Sequence, residues 1–119
     1  VVSYALDRAW IERAAREADL IVQSTSVGLD GRSSIPFPFR MAPRHALVAD
    51  VVYRPLETPF LKEAKRAGLR TLSGWAMFLH QAAESFEIWT GRPAPLPLMR
   101  RLLLSKLRSG RKPAVLSTF

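Results

Sequence analysis

The stretch Ala46–Ala67, ALVADVVYRPLETPFLKEAKRA, constrains the fold more than any other part of the chain. Leu47 to Val52 is a short apolar run broken only by Asp50. A run of this kind predicts a strand buried on both faces, as in a parallel sheet. Tyr53 follows at the C-terminal end, the end at which open α/β sheets place their ligands. Arg54 and Pro55 then stop the strand. Thr58-Pro59 is a helix start, with a hydroxyl for the N-cap and a proline at the first helical position. Phe60, Leu61, Ala64 and Ala67 give that helix an apolar stripe, and Gly68 ends it.

On either side the same grammar repeats. Leu6, Trp10, Ala14 and Glu17 fall at helical spacing and predict a helix over 4–17. Leu20-Ile21-Val22 reads as a second short strand. Gln23 to Gly28 follows it with small polar residues ending at a glycine, which suits either a plain turn or a close approach to a ligand. Residues 30–45 form the longest irregular stretch. Pro36, Pro38 and Pro43 forbid regular structure there, while Ile35, Phe37 and Phe39 can pin it to the body. Leu69–Leu72 is a third strand, and Gly74 opens a long helix to about Trp89, closed by Thr90-Gly91. Pro93, Pro95 and Pro97 make a stiff connection to a basic amphipathic helix over about Leu98–Arg108. The tail from Gly110 is expected to be disordered.

Strands alternating with helices imply an α/β fold, a parallel sheet with right-handed crossovers. Three strands are few for such a sheet, and an apolar edge should be left uncovered. The chain also begins with Val1 rather than methionine. Both features read as part of something longer.

Composition narrows the function classes. The chain has 119 residues and no cysteine. Disulfides, thiolate metal sites and a cysteine nucleophile are therefore excluded, and a cytoplasmic location fits. No apolar run approaches the ~20 residues of a membrane span. The net charge of +8 is unevenly placed. Seven of the 18 basic residues lie from Arg92 onward, where there is no acid; the eleven before them face ten acidic residues. The basicity belongs to the C-terminal extension, whereas a nucleic-acid module would carry it on the folded face. Nucleic acid is thus not the expected partner.

The helix from Gly74, GWAMFLHQAAESFEIWTG, is the second informative stretch. At 100° per residue, Gly74, Met77, Phe78, Gln81 and Ser85 share one side. Gly74 permits close backbone approach at a helix N-terminus, Met77 offers a soft surface to a flat ring, and Gln81 offers a donor and an acceptor. The same residues also suit a helix start, a core contact and a solvated face. His45 and His80 lack the spacing of zinc ligands. Asp50 could serve as a base, but a structural hydrogen bond to nearby backbone explains it better. There is no G-x-G-x-x-G and no phosphate-binding P-loop.

Three ordered stretches carry a family resemblance. Ala18–Leu29, ADLIVQSTSVGL, resembles the "ADLIVNATPxGM" of the shikimate dehydrogenase family. Asp50–Leu61, DVVYRPLETPFL, resembles its "DxxYNPxxTPLL", and Gly74–Gly91 resembles its "GLGMLxxQAAxxFxxWTG". The match covers about Ala18 to Met99. It implies the C-terminal half of a Rossmann-like, doubly wound parallel sheet with flanking helices. Residues 1–91 would be the C-terminal part of the NADP-binding domain, 92–109 a C-terminal helix and 110–119 a basic tail. The implied activity is the NADPH-dependent reduction of 3-dehydroshikimate to shikimate, a step of aromatic amino-acid biosynthesis. The resemblance places Tyr53 and Gln81 in the shikimate pocket. It places Val51 and Gly74 beside the nicotinamide end of NADP, Met77 near its ring and Thr25 in a loop near the cofactor. Gly74→Val is accordingly expected to harm cofactor use first.

The family's catalytic Lys-Asp pair and its glycine-rich phosphate loop belong to the missing N-terminal part, so no catalytic residue is assigned here and the chain alone is expected to be inactive. Gln23, Ser24, Ser26 and Leu29 replace the family's Asn, Ala, Pro and Met; Arg54 replaces Asn, and Trp75-Ala76 replace Leu-Gly. These departures leave open a quinate/shikimate dehydrogenase using NAD. A non-catalytic relic acting as a binding or assembly module is the alternative of a different class.

Overall fold

The computed structural model describes residues 7–109. The expected helical residues 4–6 and the tail 110–119 lie outside the described residues. Among the described residues, four helices and three strands follow in the order α1 (Arg8–Glu17), β1 (Leu20–Gln23), β2 (Leu47–Asp50), α2 (Pro59–Arg66), β3 (Arg70–Leu72), α3 (Gly74–Thr90) and α4 (Leu96–Arg108). The described residues group into two units that part between Phe78 and Leu79, inside α3.

The first unit is built on a three-stranded sheet in the order β1-β2-β3, parallel throughout. Ile21, Val48 and Thr71 lie in register across one face. That face packs on a core of Ile21, Phe39, Ala46, Val48, Phe60, Leu61, Ala64 and Leu69. Phe39 stacks edge-on against Phe60 at 4.8 Å, and Phe37 lies 5.0 Å from Phe39. The irregular 30–45 stretch is thus anchored by its aromatics onto α2, as its composition indicated, and it includes one 3₁₀ turn at Phe39–Met41. Asp30 organises its start. Ser33 donates to it from both hydroxyl and amide, and Arg32 donates from its amide; these bonds hold the Asp30 carboxyl down at about 2.

The strands are not buried on both faces. Leu20, Val22 and Leu72 lie on the opposite side of the sheet at 57%, 50% and 46% exposure. β2 also ends at Asp50, two residues before the expected Val52. The Asp50 carboxylate accepts the Val52 amide at 2.9 Å and turns the chain out of the ladder. Helix α1 starts at Arg8 because Asp7 is extended and its carboxylate accepts the Trp10 amide at 2.9 Å. Helix α2 begins as the sequence indicated, with Thr58 as N-cap and Pro59 in the first turn.

In the second unit, α3 closes at Gly91, whose amide bonds the Glu87 carbonyl at 2.9 Å. The Glu87 carboxylate accepts the Ala94 amide at 2.9 Å, tying the proline-rich connection to the helix it follows. Helix α4 starts at Leu96, two residues earlier than expected, because a proline in the first turn loses no intrahelical bond. Ile88 and Trp89 are 80% and 83% exposed. Among the described residues, no helix is long and apolar enough to cross a membrane.

Candidate functional site

The C-terminal ends of β1 and β2 are held together by three buried polar side chains. Gln23 and Asp50 are register partners and are 4% and 2% exposed; Thr58 is fully buried. Asp50 Oδ2 accepts the Thr58 hydroxyl at 2.6 Å, and its Oδ1 accepts Gln23 Nε2 at 3.3 Å as well as the Val52 amide. Gln23 Nε2 also donates to the Val27 carbonyl at 2.8 Å, while its Oε1 accepts the Thr25 amide. The loop after β1 is therefore folded back over the strand ends. Buried Gly28 closes it at φ +99°, a conformation that disfavours other residues, and faces Thr58.

With both oxygens engaged and water excluded, Asp50 is a structural acceptor rather than a base. It organises Val51 to Glu57, the loop that carries Tyr53. The pairing of Gln23 and Thr58 with Asp50 was missed in the sequence. Its signal was a polar residue closing one apolar run, Gln23, and another interrupting the next, Asp50, but their meeting depends on strand register.

Thr25 is exposed in the loop after β1, and its hydroxyl accepts the Val27 amide at 3.2 Å. Val51 and Gly74 are brought together. A Cβ built on Gly74 would lie 2.6 Å from the Val51 carbonyl oxygen and 2.7 Å from that of Asp50. This glycine is thus required by the chain's own backbone, so a side chain there would press on the Val51 and Asp50 carbonyls whatever it meets beyond them. The Ser73 hydroxyl fixes the approach by donating to the Leu56 carbonyl at 2.6 Å.

Tyr53 is 39% exposed and stacks on Phe78 of α3, with ring centroids 4.6 Å apart and planes 14° from parallel. Met77 is 48% exposed. Gln81 stands on the exposed part of α3 in the second unit, where its backbone carbonyl accepts the Ser85 hydroxyl at 2.9 Å. An open groove of about 780 Å³ lies elsewhere, between α1 and the Ile35–Pro38 segment.

The comparisons agree with this architecture. The family model described as the shikimate 5'-dehydrogenase C-terminal domain matches residues 74–104. The NADP(+) shikimate dehydrogenase of Streptococcus pneumoniae strain Hungary19A-6 is 51% identical over 80 residues, covering 66% of this chain. The chain spans 28% of that relative's length. Shikimate 5-dehydrogenase from Thermus thermophilus, in complex with NADP(H) and shikimate, is 41% identical with a TM-score of 0.69. The alignment covers 80% of this chain and 36% of that one. Quinate dehydrogenase from Corynebacterium glutamicum, in complex with NAD, is 36% identical with a TM-score of 0.71, covering 80% and 34%. Three parallel strands in Rossmann-like order, the strand-end loops and these matches agree: the chain belongs to the shikimate dehydrogenase family and corresponds to its C-terminal segment.

Proposed function

We propose that this chain supplies the C-terminal part of an NADP-dependent oxidoreductase that interconverts 3-dehydroshikimate and shikimate in the cytoplasm. The observation that carries the reading is Tyr53, an exposed phenol held at the C-terminal end of the parallel sheet by a dedicated stack. Tyr53 and Gln81 each offer hydrogen bonds to a substrate hydroxyl. The Tyr53 O–H donates or accepts, and the Gln81 amide does both.

For the cofactor, the exposed Met77 thioether suits the flat face of a nicotinamide, and the exposed Thr25 stands at the strand ends where dinucleotides bind. Val51 and Gly74 contribute a close-packed backbone wall rather than an open cradle. NADP bound here would supply the nicotinamide that carries the hydride. The residues of this chain bind and orient, and proton transfer falls to the Lys-Asp pair of an N-terminal domain, the partner this reading requires. A quinate-directed, NAD-using variant is the second reading, supported by the likeness to the Corynebacterium enzyme.

The test is to produce the chain alone and joined behind the N-terminal part of the pneumococcal relative. The chain alone should turn over neither shikimate nor quinate with either cofactor. The joined protein should oxidise shikimate with NADP. Within it, Gln81→Ala should raise the KM for shikimate roughly several-fold to a hundredfold, since a lost hydrogen bond is worth about 0.5–1.5 kcal/mol or more when its partner is left buried. An unchanged KM in a folded variant would withdraw Gln81 from the site. A joined protein that folds yet stays inactive would favour a non-catalytic binding module.

A further inference from the structure

We infer that Phe78 is a positioning residue, whose ring sets the direction in which Tyr53 presents its hydroxyl to substrate. The inference rests on the substrate role of Tyr53 proposed above and goes one residue beyond it. Tyr53 lies outside the strands and helices, in the loop between β2 and α2. A loop tyrosine that is 39% exposed is not held by the core. Its side chain is free in two torsions unless something fixes them. Phe78 supplies that restraint from a rigid element, the first turns of α3. The two rings are 4.6 Å apart and 14° from parallel, a stacked geometry that fixes the plane of the phenol. With the side chain anchored at its Cα, holding both the plane and the centre of the ring fixes where the hydroxyl points.

Phe78 is itself 38% exposed, so this contact is not a by-product of core packing. Its helix start is locked independently. Gly74 is seated against the Asp50 and Val51 carbonyls, and Ser73 is bonded to Leu56. The family pattern quoted above has leucine at this position. A flat ring is what a stack needs, and leucine cannot provide one.

Removing the ring leaves Tyr53 distributed over its staggered rotamers, of which one presents the hydroxyl correctly. The apparent affinity falls by the fraction that remains competent, roughly three- to tenfold. In the joined protein described above, Phe78→Ala should therefore raise the KM for shikimate by about that factor, with kcat changed less than twofold and the KM for NADP unchanged. Phe78→Tyr, which keeps a ring, should restore the parent KM. Phe78→Leu, which keeps bulk without a flat face, should resemble Phe78→Ala, and it serves if the alanine variant does not fold. On a Tyr53→Phe background the same changes should add nothing, because the hydroxyl they orient is gone. A Phe78→Ala effect that persists undiminished in that background would overturn the positioning role, as would rescue by leucine. A silent Phe78→Ala beside an impaired Tyr53→Phe sinks this inference alone. A silent Tyr53→Phe sinks the substrate role and this inference with it.

Discussion

At the scale of single residues, Gly74 shows how a glycine at a helix start can be required for a reason unrelated to ligand. The sequence places it at a helix start, where close approach to an anion is a reasonable expectation. The backbone geometry assigns the missing side chain to a different contact. The space a Cβ would fill is taken by the carbonyls of Asp50 and Val51, at 2.7 and 2.6 Å. Those oxygens are backbone and cannot rotate away, so the helix or the strand end must shift. Gly74→Ala should then destabilise the joined protein by about 1–3 kcal/mol, the usual cost of overpacking. Its affinity for NADP in the folded fraction should stay near the parent's. Thermal melting with and without NADP separates the two effects. A variant that melts like the parent but binds NADP poorly would return Gly74 to the ligand.

Among the elements, those with local instructions were legible. Helix α2 was readable end to end because Thr58, Pro59 and Gly68 encode its boundaries within a few residues. The loop aromatics Phe37 and Phe39 declared their packing against the core by being apolar among prolines. What was not legible depends on pairing between distant elements. Asp50 ends β2 early through its own side chain, and the meeting of Gln23 with Asp50 needs the register between β1 and β2. The Tyr53–Phe78 stack likewise joins a loop to a helix 25 positions along the chain. Family likeness named Tyr53 but gave no hint of what holds it.

The buried network is the element-scale feature with the largest expected energetic weight. Asp50→Ala would strand the Thr58 hydroxyl and the Val52 N–H away from water and leave Gln23 Nε2 only its bond to the Val27 carbonyl. Unsatisfied buried donors cost about 1–3 kcal/mol each, so a loss of about 3–5 kcal/mol is expected after partial relaxation. Thr58→Val removes one of these bonds and the cap of α2 together, for about 1–2 kcal/mol. The double variant should cost less than the two singles added, because Thr58 and Asp50 share a bond. Denaturant unfolding of the joined protein measures all three. Costs within about 0.5 kcal/mol of neutral, typical of exposed positions, would show that the network contributes nothing to stability.

For the molecule as a whole, the surface left open decides how the isolated chain behaves. β1 is an edge strand, with β2 on one side and no described strand on the other. On the open face of the sheet Leu20, Val22 and Leu72 are about half exposed, and in the second unit Ile88 and Trp89 are almost fully so. A parallel sheet is ordinarily covered on both faces, and an unpaired apolar edge recruits other chains. The family relatives are more than three times as long as the matched segment, so their additional chain is available to cover such surfaces. The 13.4 kDa chain alone should therefore self-associate at micromolar concentration. Sedimentation velocity should find species heavier than the monomer, and a dye that binds exposed apolar surface should fluoresce. Leu20→Lys together with Val22→Lys should shift the distribution back toward monomer, since charge on the open face opposes stacking without touching the packed one. Joining the N-terminal part should have the same effect through coverage. A chain that sediments as a monomer and melts sharply without either change would show that three strands and their helices suffice.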